Sequence, residues 1–162
     1  MRSPSTAQDL KFMHMAIELA AQHMRARDGG PFGAVVARGA AIVAQGWNKV
    51  TSTNDPTAHA EMSAIRAAAA ALGSFQLRGC VLYTSCEPCP MCLGAAYWAR
   101  LDRVVFAATR TDAATAGFDD AEIYAEFSRP LHARKLSMQE ALREQAVAVF
   151  SEWRRLPDKT PY

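Results

Sequence analysis

Residues 80–107 read CVLYTSCEPCPMCLGAAYWARLDRVVFA, and three local signals follow one another along them. Cys80 to Ser85 is a short β-forming run. Pro88 and Pro90 then mark the start of a helix, where proline is tolerated because the first-turn N–H groups have no partner, and that helix reaches to about Arg100. Arg103 to Ala107 is a second strand. Upstream, Pro56 opens a helical run through Glu61, Ile65 and the alanines Ala67 to Ala71, closed by Gly73. Before that run, Phe32 to Ala37 and Ala41 to Trp47 form a hairpin around Arg38, Gly39 and Ala40. Strand, helix, strand, helix, strand with short connections implies parallel pairing, here grown from an antiparallel hairpin. The expected class is α/β, a three-layer α/β/α sandwich around a mixed β-sheet, with residues 1–162 as one domain.

The flanks are read by the same rules. From Thr6 to about Arg27 the apolar positions Leu10, Met13, Ile17, Ala20, Ala21 and Met24 recur at helical spacing, and Thr6 with Asp9 resembles a capping box with a shorter acid. Asp28-Gly29-Gly30-Pro31 ends that helix. Lys49 to Asp55 is polar and turn-rich. Beyond Thr109 the expectation is a loop over Thr111 to Asp120, a short helix over Glu122 to Phe127, a helix over Ser137 to Glu144, and strand or helix over Val147 to Trp153.

Composition excludes several classes of function. The 162 residues carry 18 Lys and Arg against 16 Asp and Glu, and half are hydrophobic, which supplies a core and argues against disorder. The basic residues are scattered among acids, so a phosphate-neutralising nucleic-acid surface is not expected. The longest stretch free of Asp, Glu, Lys and Arg runs from Pro88 to Ala99, too short to span a membrane. Asp9, Lys11, His14 and Glu18 interrupt any apolar run near the start, so no signal peptide or lipid anchor is expected and the compartment is read as cytoplasmic.

Two segments carry chemistry, His59-Ala60-Glu61 and Pro88-Cys89-Pro90-Met91-Cys92, each at an expected helix start. Cys89 and Cys92, spaced i and i+3, place both thiolates on one side of a first turn, as a tetrahedral zinc site requires. His59 and Glu61 converge only on a target ahead of their helix, close to its axis. The implied geometry is two helix N-termini aimed at one metal, with their positive ends favouring thiolates. Three protein ligands leave a fourth position for water, the catalytic rather than the structural pattern. Two thiolates already neutralise Zn²⁺ and blunt its acidifying power, so a nearby base is needed, and Glu61 reads as that proton shuttle rather than as a ligand. Cys86, before Pro88, reads as a strand-end residue and not a ligand. Cys80 reads as core, and the four cysteines do not argue for disulfides.

H-x-E followed by P-C-x-x-C is the zinc-deaminase signature. The sequence resembles the cytidine deaminase-like superfamily, and within it the bacterial guanine deaminases. The resemblance is carried by residues 30–35 (GPFGAV), 54–61 (NDPTAHAE), 83–100 (YTSCEPCPMCLGAAYWAR), 111–114 (TDAA) and 116–120 (AGFDD), and Tyr162 fits it too. It implies one Zn²⁺ per subunit on His59, Cys89 and Cys92, with Glu61 as proton shuttle, and hydrolytic conversion of guanine to xanthine and ammonia. It also implies that Asn48 hydrogen-bonds the purine, that Phe32 and Trp98 pack around its rings, and that Asp120 carries a second proton to the exocyclic amine. A homodimer with exchanged C-terminal segments would bring the partner's Tyr162 over the pocket. Read without the resemblance, Asn48 ends a strand, Phe32 and Trp98 are core aromatics, and Asp119 or Asp120 caps a helix. Guanosine, cytosine, ammeline and tRNA adenosine are alternative substrates, and a zinc-stabilised binding module without turnover is the alternative outside the enzymes.

Overall fold

The computed structural model describes residues 6–161, and Tyr162 lies outside them. Helix α1 (Ala7–Arg25) opens on the expected capping box: Thr6 Oγ1 accepts the Asp9 N–H at 3.1 Å and Asp9 Oδ2 accepts the Thr6 N–H at 2.9 Å. Strands β1 (Gly33–Arg38) and β2 (Ala41–Trp47) form the antiparallel hairpin, turning at Gly39 with φ +56°. Strand β3 (Cys80–Cys86) runs antiparallel to β1, and β4 (Arg103–Ala108) runs parallel to β3. The order is β2-β1-β3-β4. Because β1 lies between β2 and β3, only β3 and β4 make the direct parallel pair. The sheet is mixed, as expected.

Alternation along β1 assigns the two faces. Ala34 and Val36 pack with Leu82 against Ala60, Ala64 and Ala68 of helix α3 (Ala60–Leu72). Val35 and Ala37 face the other way, with Tyr83 against Phe12, Met13 and Ala16 of α1. A strand covered on both faces reads as a continuous apolar run, which is why β1 shows little polar alternation. Helix α4 (Pro90–Trp98) lies in the α3 layer, where Ala95 and Ala99 join the same core. Two glycines set how closely the layers approach: a Cβ on Gly33 would stand 2.3 Å from Ala16 O, and one on Gly46 2.4 Å from Ala60 O. Side chains there would push α1 and the start of α3 off the sheet.

Several boundaries differ from the expectation. α3 begins at Ala60 rather than Pro56, because Asp55 Oδ1 accepts the Thr57 N–H at 2.8 Å and its hydroxyl at 2.7 Å and holds residues 55–58 in a turn. The turn-rich stretch after Trp47 contains a short helix, α2 (Val50–Thr53). The loop expected over Thr111 to Asp120 is half helical, since a second capping box between Thr109 and Asp112 starts α5 (Arg110–Thr115). α6 (Ala121–Phe127) lies where expected. No helix spans Ser137 to Glu144, because Leu142 sits at φ +53°; α7 (Arg143–Arg155) begins after it and takes in Val147 to Trp153.

The chain forms two compact units, Met1–Ile123 and Tyr124–Tyr162. The first holds the whole sheet and its two helical layers. The second holds the end of α6, a 3₁₀ turn at Leu131–Ala133 and α7, and none of its described residues is buried. Among the described residues no helix is long and apolar enough to cross a membrane.

Candidate metal centre

His59 and Cys89 occupy equivalent positions on different helices. Each is an N-cap residue with extended backbone, φ −65° and ψ 158° for His59, φ −63° and ψ 168° for Cys89. Neither side chain caps its own helix. Both point instead to a common centre, where Cys92 arrives from the first turn of α4. His59 Nδ1 lies 3.6 Å from Cys89 Sγ and 3.6 Å from Cys92 Sγ, and the three ligand atoms lie within 4.8 Å of one another. Zn–S bonds of about 2.3 Å and a Zn–N bond of about 2.0–2.1 Å at the tetrahedral angle give S–N edges of about 3.6 Å. Both separations match that edge, so the donor set fits zinc as it stands. Among the described residues, this is the group of His, Cys, Asp and Glu side chains placed to hold a metal.

Glu61, 5% exposed, lies in the first turn of α3. Thr84 donates its hydroxyl to Oε1 at 3.1 Å, leaving Oε2 3.5 Å from Cys92 Sγ. Burial raises the proton affinity of Glu61, and the negative charge of Cys89 adds to it. Cys89 is pushed down to about 4, first by the hydrogen bond from Cys92 and then by that from His59. Cys92, the donor, is pushed up, and Cys89 also raises the imidazole of His59. Cys86 stands apart: burial lifts its thiol to about 11, and its Sγ lies 3.7 Å from Thr109 O.

The other candidates are distributed unevenly. Asn48 is 8% exposed at the end of β2, and its Oδ1 accepts the N–H groups of Gly30 and Val50, both at 3.2 Å. Phe32 is half-buried, and Phe118 meets it edge to face with centroids 5.0 Å apart. Asp119 Oδ1 accepts the Ala121 N–H at 2.9 Å and so takes the capping role at α6, while burial and the charge of Cys89 raise the carboxyl of Asp120. Trp98 ends α4, 69% exposed, at the opposite end of that helix from Cys89. Thr84 and Phe118 were not singled out from the sequence. Thr84 has one signal, a hydroxyl residue beside Ser85 at the end of an apolar strand; Phe118 has none beyond its place beside Asp119 and Asp120.

Comparison with known proteins agrees with this geometry. Residues 6–108 match the cytidine and deoxycytidylate deaminase zinc-binding region. The chain is 50% identical over 151 residues to guanine deaminase of Bacillus subtilis, covering 93% of this chain and 97% of that one. The X-ray structure of guanine deaminase from that organism superposes with a TM-score of 0.91 over 94% of this chain and 97% of the other, at 50% identity. A solved structure in complex with 2,6-diaminopurine gives a TM-score of 0.67 at 31% identity, over 99% of this chain and 87% of that one. The tRNA-specific adenosine deaminase of Agrobacterium fabrum is 39% identical over 63% of this chain and 66% of its own length. With the metal triad, its buried carboxyl and the mixed sheet all in place, the chain belongs to the cytidine and deoxycytidylate deaminase zinc-binding family.

Proposed function

We propose that this protein hydrolyses guanine to xanthine and ammonia with one zinc per chain. The observation that carries the reaction class is the buried carboxyl of Glu61 beside a triad whose edges fit zinc. A structural zinc site has no use for a carboxyl there. The choice of base is supported by the likeness, along nearly the whole chain, to an enzyme that carries that name.

When bound, zinc supplies the Lewis acidity that makes water nucleophilic near neutral pH. Glu61 takes a proton from the attacking water and returns it to ring nitrogen N3 as oxygen adds to C2. The C2–N bond then breaks as the added hydroxyl gives up its proton and becomes the C2 carbonyl, and the amine leaves as ammonia on a proton delivered by Asp120 from its own side of the ring, the released proton restoring the balance through solvent. Asn48 acts as a donor. With Oδ1 committed to two backbone N–H groups, its NH₂ is the end left for an acceptor atom on the base. Phe32 packs against the rings and the partner's Tyr162 closes over them, whereas Trp98, at the far end of α4 from Cys89, lies with that helix's exposed apolar face.

The proposal includes a homodimer with exchanged C-terminal segments. Leu93, Tyr97 and Trp98 expose an apolar face on α4, and Phe127, Leu142 and Phe150 are 62% to 71% exposed in the second unit. Apolar surface of this kind marks an association site. The four cysteines are free, which fits the reducing cytoplasm. The test is ammonia release from the zinc-loaded protein across a panel of guanine, guanosine, cytosine, ammeline and tRNA. Guanine should lead by a wide margin. Turnover of tRNA adenosine without turnover of guanine would reassign the substrate, and no turnover at all would favour a zinc-stabilised binding module.

A further inference from the structure

We propose that His23 is a positioning residue for Asn48, acting through Trp47 and the loop that begins at Asp28. The inference rests on the reading of Asn48 as the donor to the base.

The chain doubles back after α1. Arg27 adopts φ +62°, and the Asp28 N–H donates to His23 O at 3.0 Å. The same two residues meet again through their side chains, where His23 Nδ1 donates to Asp28 Oδ2 at 2.7 Å. The imidazole also lies flat on the indole of Trp47, with centroids 3.7 Å apart and planes within 4°. His23 therefore ties the start of the 28–32 loop to the last residue of β2.

Asn48 follows Trp47 directly, and that loop grips it. Its N–H donates to Phe32 O at 3.0 Å, and its Oδ1 accepts the Gly30 N–H at 3.2 Å. Gly29 approaches so closely that a Cβ there would stand 2.0 Å from Asn48 O. The side-chain amide of an asparagine turns about a broad two-fold torsion, so its direction is set by what holds it. Here the holders are the backbone N–H groups of Gly30 and Val50. A shift of Asp28 or Trp47 moves the loop against Asn48 and releases the amide. Loss of a fixed donor weakens substrate and transition state alike, which raises KM and spares kcat.

The test is a double-mutant cycle read as kcat, KM for guanine and zinc content. Asn48→Ala should raise KM roughly 10-fold or more, and His23→Ala roughly 3- to 10-fold with kcat within about two-fold, each keeping its zinc. In the Asn48→Ala background, His23→Ala should change KM no further, a coupling that a purely stabilising role would not produce. Asp28→Asn, at a side chain 45% exposed, carries the same test should His23→Ala fail to fold. An unchanged KM in Asp28→Asn and the His23 variant, or an equal increase in both backgrounds, would overturn the proposal while leaving the role of Asn48 intact. An unchanged KM in Asn48→Ala alone would overturn the reading on which it rests.

Discussion

Ionising a carboxyl as enclosed as Glu61 costs free energy that one hydroxyl donor does not return, so the group holds a proton more tightly than an exposed glutamate. That is the property a proton shuttle needs near neutral pH. Gln at this position keeps the shape and can still accept from Thr84 through its carbonyl, but it cannot take a proton. We expect Glu61→Gln to keep one zinc per chain and lose roughly 10²- to 10⁴-fold in turnover, checked by metal analysis and ammonia release on the same sample. Loss of zinc with activity would make Glu61 a structural member of the site. His59, Cys89, Cys92 and Glu61 were readable in the sequence because metal chemistry demands particular side chains at helix-start spacings. Thr84, Phe118 and the His23–Trp47 stack were not, because those contacts are made by residues 23 to 86 positions apart in sequence.

Elements were legible where an apolar period ran long enough to be seen. Thr6–Asp9 and Thr109–Asp112 are the same capping box, yet only the first precedes a sustained apolar stripe, and α5 has no such period to announce it. Leu142 shows the opposite case, a left-handed residue inside a stretch of good helix formers that no local signal announces. The first capping box also does long-range work. Asp9, 1% exposed, accepts from Tyr83 Oη at 2.8 Å and from both terminal nitrogens of Arg103, at 2.5 and 3.3 Å, pinning α1 to β3 and β4. Arg103 is the main reason its carboxyl is held far below the ordinary 3.8. A depressed carboxyl stabilises the fold fully above its unfolded value and loses that contribution as pH falls from there through the folded value. Asp9→Asn should therefore cost about 2–3 kcal/mol near neutral pH, on the scale of hydrogen bonds to a charged group. The gap from the parent should shrink as urea denaturation is repeated below pH 3.8. A gap independent of pH would mean that shape, not charge, holds α1.

At the scale of the whole molecule, the layers were legible because strands and helices alternate with short connections, whereas the proposed association would mark only the surface. Every described residue from 124 to 161 lacks burial, and a segment with so much exposed apolar side chain is suited to covering a second copy. Exchange predicts that one chain's end completes the other chain's site. Removing Pro161 and Tyr162 should leave a folded, zinc-loaded dimer with impaired turnover, a loss of no more than a few kcal/mol, about that of one buried polar contact and some desolvation. The decisive form mixes that truncated chain with a Glu61→Gln chain. Each parent dimer is defective at both of its sites. In a mixed dimer with exchange, the truncated chain keeps its own Glu61 and receives Tyr162 of the partner subunit, so one site becomes competent while the other collects both defects. Activity should rise above either parent once subunits have exchanged, as followed by mass spectrometry of the intact dimers. If mixed dimers form and activity does not rise, the chain end covers the pocket of its own chain, and the exposed faces of α4 and α7 must be explained by some other contact.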